Sequence, residues 1–384
     1  MKIFNAIQGR RPGSNAFDLS HEKKMSMDWA KLTPIYLQEI VPGDNFKIDT
    51  EILLRFAPLV SPVMHRINVY THYFFVPNRL VWNEWKDFIT GGEDGQTFPT
   101  FPKLAMSVAN KSKFTIGSLA DYLGLPVLDD FLGAFNQNKG VNALPFRAYQ
   151  LIYNEYYRDQ NITPKVDFSL GSDTTADVDV LTEMRKRAWE KDYFTSALPW
   201  AQRGGEVGLP IEFNYKPQSD VINTSTGNAP VGGIPGASFG VDDLGHLNDG
   251  TVGQYEELRI ENLEEEGTSV NINELRNAVR LQEWLERNAR AGARYIEQIF
   301  SHFGVKSSDA RLQRPEYLGG GKQNVVISEV LQTSGTAGET GYTETPLGEM
   351  GGHAISVGQH HGFKRSFEEH GFVIGIMSIL PKTT

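Results

Sequence analysis

Ala57–Trp82 reads APLVSPVMHRINVYTHYFFVPNRLVW, and taken with the residues before it this stretch decides the fold. In Phe46–Phe56 every even position except Thr50 is strongly apolar: Phe46, Ile48, Ile52, Leu54 and Phe56. Lys47, Asp49, Glu51 and Arg55 fill most of the odd positions, which is the period-two signature of a strand with one buried face. The second run, Arg66–Val76, sets Ile67, Val69, Thr71, Tyr73 and Phe75 on one face. Its other face mixes Arg66, Asn68, Tyr70, His72, Phe74 and Val76, and Pro77, which cannot donate to a ladder, closes it. At roughly 3.3 Å per residue this strand reaches about 35 Å, beyond the usual span. The connection carries Pro58, Ser61 and Pro62, too long and stiff for a two-residue hairpin turn. Two long strands so joined fit opposite sheets of a β-sandwich.

Strand patterns return late in the chain, at Asn324–Gln332, His353–His361 and Phe372–Leu380. The last, FVIGIMSIL, is apolar on both faces, which predicts a central strand or one lying against another subunit. Between the two sets the reading is helical and loop-like over 83–205. Short helices are expected at Asn83–Thr90, Ser118–Leu123, Ala143–Asp159 and Asp179–Lys191. In Ala143–Asp159, Phe146, Tyr149, Ile152, Tyr153 and Tyr156 form one aromatic face, either core packing or a platform on which bases could stack. Ile272–Phe303 is the longest helical pattern, with Asn271 and Glu274 spaced as a capping box, Gly304 as its C-cap and Gly292 as a point of bending or breakage. Its arginines, Arg276, Arg280, Arg287, Arg290 and Arg294, interleave with Glu283, Glu286 and Glu297, as on ion-paired faces.

Residues 1–45 read as an extended arm, because Gly9, Pro12, Gly13, Pro34, Pro42 and Gly43 interrupt any regular element. Residues 46–384 then form a single domain with its insertions. Within it, 206–270 shifts to Gly, Asn, Ser, Thr and Asp and reads as a long loop. The 384-residue chain, 40% hydrophobic and 22% charged, has the make-up of an ordinary globular protein, and its 22 Phe, 14 Tyr and 6 Trp suit a sheet-rich core or a wide interface. It has no cysteine, which excludes disulfides, thiolate metal sites and a cysteine nucleophile. No uncharged apolar run reaches membrane-spanning length. The net charge of −10 is the wrong sign for a protein that coats nucleic acid by electrostatics. The first 31 residues run the other way, with Lys2, Arg10, Arg11, Lys23, Lys24 and Lys31 against Asp18, Glu22 and Asp28. They are either a solvated arm or an arm that contacts nucleic acid, with Lys2, Arg10, Arg11, Lys23 and Lys24 as the DNA-facing candidates.

Several short segments, in order, carry a family resemblance: Asn15–Ser20 (NAFDLS), Glu39–Asp44 (EIVPGD), Val63–Trp82, Tyr153–Asp159 (YNEYYRD), Ala188–Phe194 (AWEKDYF), Arg314–Gly320 (RPEYLGG) and Gly371–Ile376 (GFVIGI). Together they resemble the major capsid protein of the Microviridae, small icosahedral phages with single-stranded DNA genomes, and most closely the gokushovirus-like branch. The resemblance implies an eight-stranded antiparallel jelly-roll sandwich, mainly β with inserted helices and long loops. Since family members continue well past residue 384, it also implies C-terminal strands beyond it. It implies a structural subunit of a T=1 icosahedral shell, assembled in the bacterial cytoplasm and resident in the virion. Its expected partners are copies of itself, other virion proteins including a small basic DNA-associated protein, packaged single-stranded DNA and a host surface receptor. It further implies that 206–270 projects outward, where it is a candidate for host attachment.

An enzyme needs a convergent set of groups, and the sequence offers none. Gly319–Lys322 resembles a phosphate loop only superficially, because Glu316 and Gln323 stand where the Walker pattern needs Gly and Ser or Thr. No G-x-S-x-G elbow or H-E-x-x-H pair occurs. His353, His360, His361 and His370 lie near one another in sequence, and Asp129-Asp130 and Asp242-Asp243 could take a hard cation, but exposed or interface positions are the simpler reading. No catalytic, cofactor or metal role is assigned. The alternative class is a carbohydrate-binding or glycan-hydrolysing jelly roll, which would need two carboxyls facing across a cleft.

Overall fold

The computed structural model describes residues 13–126, 140–208, 271–334 (except 293) and 347–382 (except 360), together with six short strand segments between 214 and 266. The principal strands are β1 (Thr33–Ile40), β2 (Asn45–Ile48), β3 (Ile52–Arg55), β4 (Ile67–Pro77), β5 (Glu316–Asn324), β6 (Val326–Leu331), β7 (Met350–Gly358), β8 (Phe363–Ser366) and β9 (Gly371–Pro381). The helices are α1 (Asn78–Val81), α2 (Trp85–Thr90), α3 (Leu119–Tyr122), α4 (Leu144–Ile152), α5 (Val178–Thr182), α6 (Ile272–Ala291) and α7 (Tyr295–Phe303). The chain divides into two compact units, residues 1–197 with 293–384, and residues 198–292.

The first unit is organised by a four-stranded antiparallel sheet in the order β1-β9-β4-β5. The period-two pattern of residues 66–76 becomes β4, which is buried along both faces. Ile67, Val69, Tyr73 and Phe75 face the second layer of strands, where they meet Phe46, Ile48, Ile52 and Leu54. Phe74 and Val76 face the opposite way, into a cluster with Trp82, Phe146, Tyr149 and Ile152. β9 runs antiparallel to β4 from Gly371 opposite Pro77 to Pro381 opposite Ile67, and is buried on both sides as its uninterrupted apolar sequence predicts. The second layer holds the three-stranded sheet β6-β7-β3 and the pair β8-β2. The first unit is therefore mainly β, with antiparallel sheets facing each other across a core and helices covering the far side. β3 and β4 belong to different sheets, as the stiff Pro58–Pro62 connection requires.

Four expectations are corrected. Phe46–Phe56 is not one strand: it breaks at Asp49–Glu51 into β2 and β3, because its partner segment breaks too. The Thr50 hydroxyl in that break bonds the Tyr73 hydroxyl at 2.5 Å, and its carbonyl accepts from the His361 N–H. Pro34 does not interrupt regular structure. It lies in β1, an edge strand that accommodates it with a bulge between Pro34 and Tyr36. Asp179–Lys191 is helical only as far as Thr182, because the residues beyond it run extended along Ala30–Leu32; Leu32 donates to the Arg185 carbonyl at 2.9 Å and Arg187 to the Ala30 carbonyl at 2.8 Å. Residues 316–324, where the reading found only a failed phosphate loop, form β5. Its glycines let the chain press against β4: a Cβ on Gly320 would lie 2.0 Å from the Thr71 carbonyl oxygen.

Other local readings hold. Gly304 ends α7 in the left-handed conformation as expected; Gly91 does the same for α2, and Ser118 is found to cap α3 by accepting the Asp121 N–H. The long helical pattern is two helices, with Gly292 (φ 117°) between them. In the second unit, Asn271 caps α6 by accepting the Asn273 N–H instead of forming the expected box with Glu274, and Arg280–Glu283 (2.8 Å) is one of the expected ion pairs. Where a loop was expected at 206–270, the described segments pair antiparallel in nested order: Asn214–Tyr215 with Glu265–Glu266, Asp220–Asn223 with Leu258–Glu261, and Gly240–Val241 with Leu247–Asn248.

Gly375 on β9 sits opposite Tyr73, and an added Cβ would lie 2.7 Å from the Tyr73 ring and 3.0 Å from Tyr36 Cβ. Gly375→Ala is expected to cost about 1–3 kcal/mol through overpacking, read as a lower urea midpoint with an unchanged m-value.

Candidate assembly and genome-facing surfaces

Residues 14–28 run extended and largely exposed before the chain enters β1. The stretch is pinned at specific points. The Lys23 ammonium donates to the Pro34 carbonyl at 3.3 Å and to the Tyr122 carbonyl at 2.7 Å. Tyr122 in turn donates to the Ser26 carbonyl at 2.6 Å, and the His21 ring stacks on Tyr36 at 6.1 Å. Trp29 packs on Phe56, and the Ala30 N–H reaches the Ile379 carbonyl. Burial lowers the pKa of Lys23, with Asp121 opposing that shift. Between this stretch and the β2–β3 layer lies a hollow of about 2600 Å³ whose floor includes Ile48, Ile52 and Leu54. Of the five DNA-facing candidates, Lys2, Arg10 and Arg11 lie outside the described residues, Lys23 is anchored to backbone carbonyls and Lys24 is exposed.

The aromatic face of Ala143–Asp159 is core rather than platform. Asn142 accepts the Leu144 N–H, α4 runs to Ile152 and a π-helical turn carries it to Tyr157. Phe146, Tyr149, Ile152 and Tyr153 are buried, and the Tyr149 hydroxyl donates to the Leu32 carbonyl at 2.8 Å. The buried Arg147 guanidinium donates to the carbonyls of Val81 (3.1 Å) and Gly171 (2.7 Å), tying α4 to the end of α1 and to the loop at Gly171. Tyr156, the one half-buried ring of the stripe, packs on Phe74 at 4.7 Å and lies under the Arg314 guanidinium at 4.3 Å.

The histidines go to separate places. His353 lies on β7 opposite Ser328, His361 is buried over Gly321 and His370 makes an edge contact with Trp85. His360 and both aspartate pairs lie outside the described residues. Among the described residues no three His, Asp or Glu side chains gather as a cation site would require, and no helix is long and apolar enough to cross a membrane.

The sequence reading missed two surface features. The first is a rigid knuckle at Asp192–Ser196, where the Asp192 carboxylate accepts from the N–H groups of Phe194 (3.0 Å) and Thr195 (2.7 Å). It holds Tyr193 and Phe194 outward, 90% and 80% exposed. The second is α7, which buries none of its side chains despite its apolar composition. An aspartate followed closely by a threonine is the signal for the knuckle; nothing in sequence distinguishes exposed from buried aromatics.

The first unit is a protein of antiparallel β-layers around apolar cores that leaves many large apolar side chains on its described surface. The family model described as "Capsid protein (F protein)" matches residues 5–384, and the chain belongs to this capsid family of the Microviridae. It is 33% identical to "Capsid protein VP1" of Chlamydia phage 1 over 95% of this chain and 70% of that protein. It is 37% identical to the protein of the same name from Bdellovibrio phage phiMH2K, over 94% of this chain and 68% of that protein. It is 27% identical to that of Spiroplasma virus 4, over 99% of this chain and 72% of that protein. The role is structural, not enzymatic, and the glycan-hydrolysing alternative falls away.

His72 on β4 links the sheet to the helical layer, with its Nδ1 2.8 Å from the Tyr157 hydroxyl and its ring stacked on Tyr157. Burial, aided by the Arg187 charge, pushes its pKa down to about 4. The unfolded chain, with His near 6.5, then binds more protons than the folded one between these values. Stability contributed by neutral His72 is complete above pH 6.5 and is lost as the pH falls toward 4, by up to about 3 kcal/mol. Melting temperatures over pH 4–7 should fall less steeply for His72→Gln than for wild type; parallel curves would refute the assignment.

Proposed function

We propose that copies of this chain close into a T=1 icosahedral shell around a single-stranded DNA genome, forming the virion in the cytoplasm of a bacterial host. The observation that carries this reading is the strand order β1-β9-β4-β5, with the most C-terminal strand inserted between the first two strands of its sheet and a second antiparallel layer facing it. That order is compatible with one sheet of a viral jelly roll, the sandwich from which many capsids are built. Family membership supports self-assembly of like subunits, and a closed shell forms when heterologous contacts repeat until their rotation axes close.

The basic residues near the amino end, Lys2, Arg10, Arg11, Lys23 and Lys24, are proposed to face the packaged DNA. Lys24 offers an exposed charge, whereas Lys23 contributes chiefly by fixing the path of the arm. An acidic chain is poorly suited to neutralise a genome alone, so a small basic DNA-associated protein is proposed as a further partner. The excursion at 206–270 is proposed to project outward and engage a host surface receptor. Its shift to Gly, Asn, Ser, Thr and Asp supports this, as do its described strand pairs, which join none of the first unit's sheets.

The chain expressed with the other virion proteins of its phage is expected to give uniform small spheres in negative-stain images; a monodisperse monomer under those conditions would overturn the shell. In particles lacking residues 216–264, assembly should persist while adsorption to host cells drops at least tenfold. Unchanged adsorption by intact particles would dismiss the attachment role.

A further inference from the structure

Three hydrogen bonds join the start of α7 to one surface turn of the first unit, and that turn to a second. The Arg294 guanidinium donates to the Arg158 carbonyl at 3.0 Å, Gln160 donates to the Glu297 carboxylate at 2.6 Å, and Lys191 bonds Asp159 at 2.5 Å. Turn 159–163 is therefore next to both α7 and the knuckle at 192–196. Six large side chains point out of these three elements: Ile162, Tyr193, Phe194, Tyr295, Phe300 and Phe303, each at least 62% exposed.

At about 200 Å² per ring, the five aromatic groups offer on the order of 700 Å² of apolar surface. That exceeds the patch a typical monomer leaves bare and approaches the roughly 800 Å² that each partner buries in a standard interface. The rings sit on stiff supports. The knuckle is locked by Asp192 and Thr195, the Thr195 hydroxyl also reaching the Glu190 carbonyl at 3.1 Å. α7 is closed by Gly304. Aromatic groups held this way lose little freedom on binding, as interface anchors should.

The charges around the face indicate what kind of partner fits. Arg294 is paired with Glu297 at 3.2 Å and Lys191 with Asp159, so these groups are already neutralised within the chain. Such a face has little to offer a phosphate backbone, and its apolar anchors suit another protein surface.

We propose that α7, turn 159–163 and the Tyr193–Phe194 knuckle form a docking face for a second copy of this chain. This rests on the shell reading, which requires subunit contacts but does not say where they are. The exposure of Phe194 and Phe300 makes substitution at these positions benign to the fold.

Sedimentation velocity of the full chain from 1 to 100 µM, for wild type, Phe194→Glu, Phe300→Glu and the milder Phe194→Ala, tests it. Wild type should associate with rising concentration. Both glutamate variants should shift the midpoint at least tenfold upward, the alanine variant less, with circular dichroism and melting temperature unchanged. Variants that associate like wild type would overturn this face while leaving the shell reading intact. A wild type that stays monomeric throughout, or that binds only other virion proteins through these residues, would also overturn it. Negative-stain images of particles made with the phage partners report separately on the shell.

Discussion

The insertion of β9 between β1 and β4 is the constraint on which the first unit depends. Among the described residues β1 has no other strand partner, and β4 would keep only β5 on one edge. The strand contributes to both sides of the sheet, with Phe372, Ile374 and Ile376 toward the helices and Val373, Met377 and Ile379 toward the second strand layer. Its partners on β4 lie about three hundred residues earlier in the chain. Loop-closure entropy grows only logarithmically with such separation, so the cost in stability is modest, whereas the cost in folding speed is large. The two intervening helical and ribbon-like segments can therefore vary in length without weakening the ladder that holds the layers together.

Much of this architecture was legible because alternation survives wherever one face of a strand is buried against apolar groups. It failed where other demands were stronger. The mixed face of β4 read as half-polar, yet Tyr70 and His72 find partners there, the Asn68 amide reaching the Tyr70 hydroxyl at 3.3 Å and His72 reaching Tyr157. β5 was invisible because three successive glycines erase the period-two pattern, and the need for them appears only when β4 lies against them. β1 was hidden by Pro34, which an edge strand tolerates and a central one would not. The helix expected beyond Thr182 yielded to main-chain pairing with Ala30–Leu32, a tertiary contact no local propensity encodes.

The surfaces were less legible than the core. Tyr149 and Tyr193 are the same residue type in equally aromatic neighbourhoods, yet one is sealed in the core and the other stands almost fully in solvent. The difference lies in backbone geometry. A helix turns its stripe toward the sheet beneath it, whereas the Asp192 turn reverses the chain and leaves its tip no neighbour to pack against.

The basic residues near the amino end show a similar limit. As charges counted along the sequence, Lys23 and Lys24 are equivalent. In the fold, Lys23 spends two of its donors on carbonyls from β1 and from the end of α3, in a setting where burial already disfavours its charge. Its effect is to fix where the extended stretch leaves the body, together with the Tyr122–Ser26 bond and the Trp29–Phe56 contact. Anchoring at this point gives the preceding segment a defined origin. The proposed genome contact is then governed less by the number of positive charges than by the direction in which the anchored chain delivers them, because an exposed charge more than about 10 Å from a phosphate is largely screened at physiological salt.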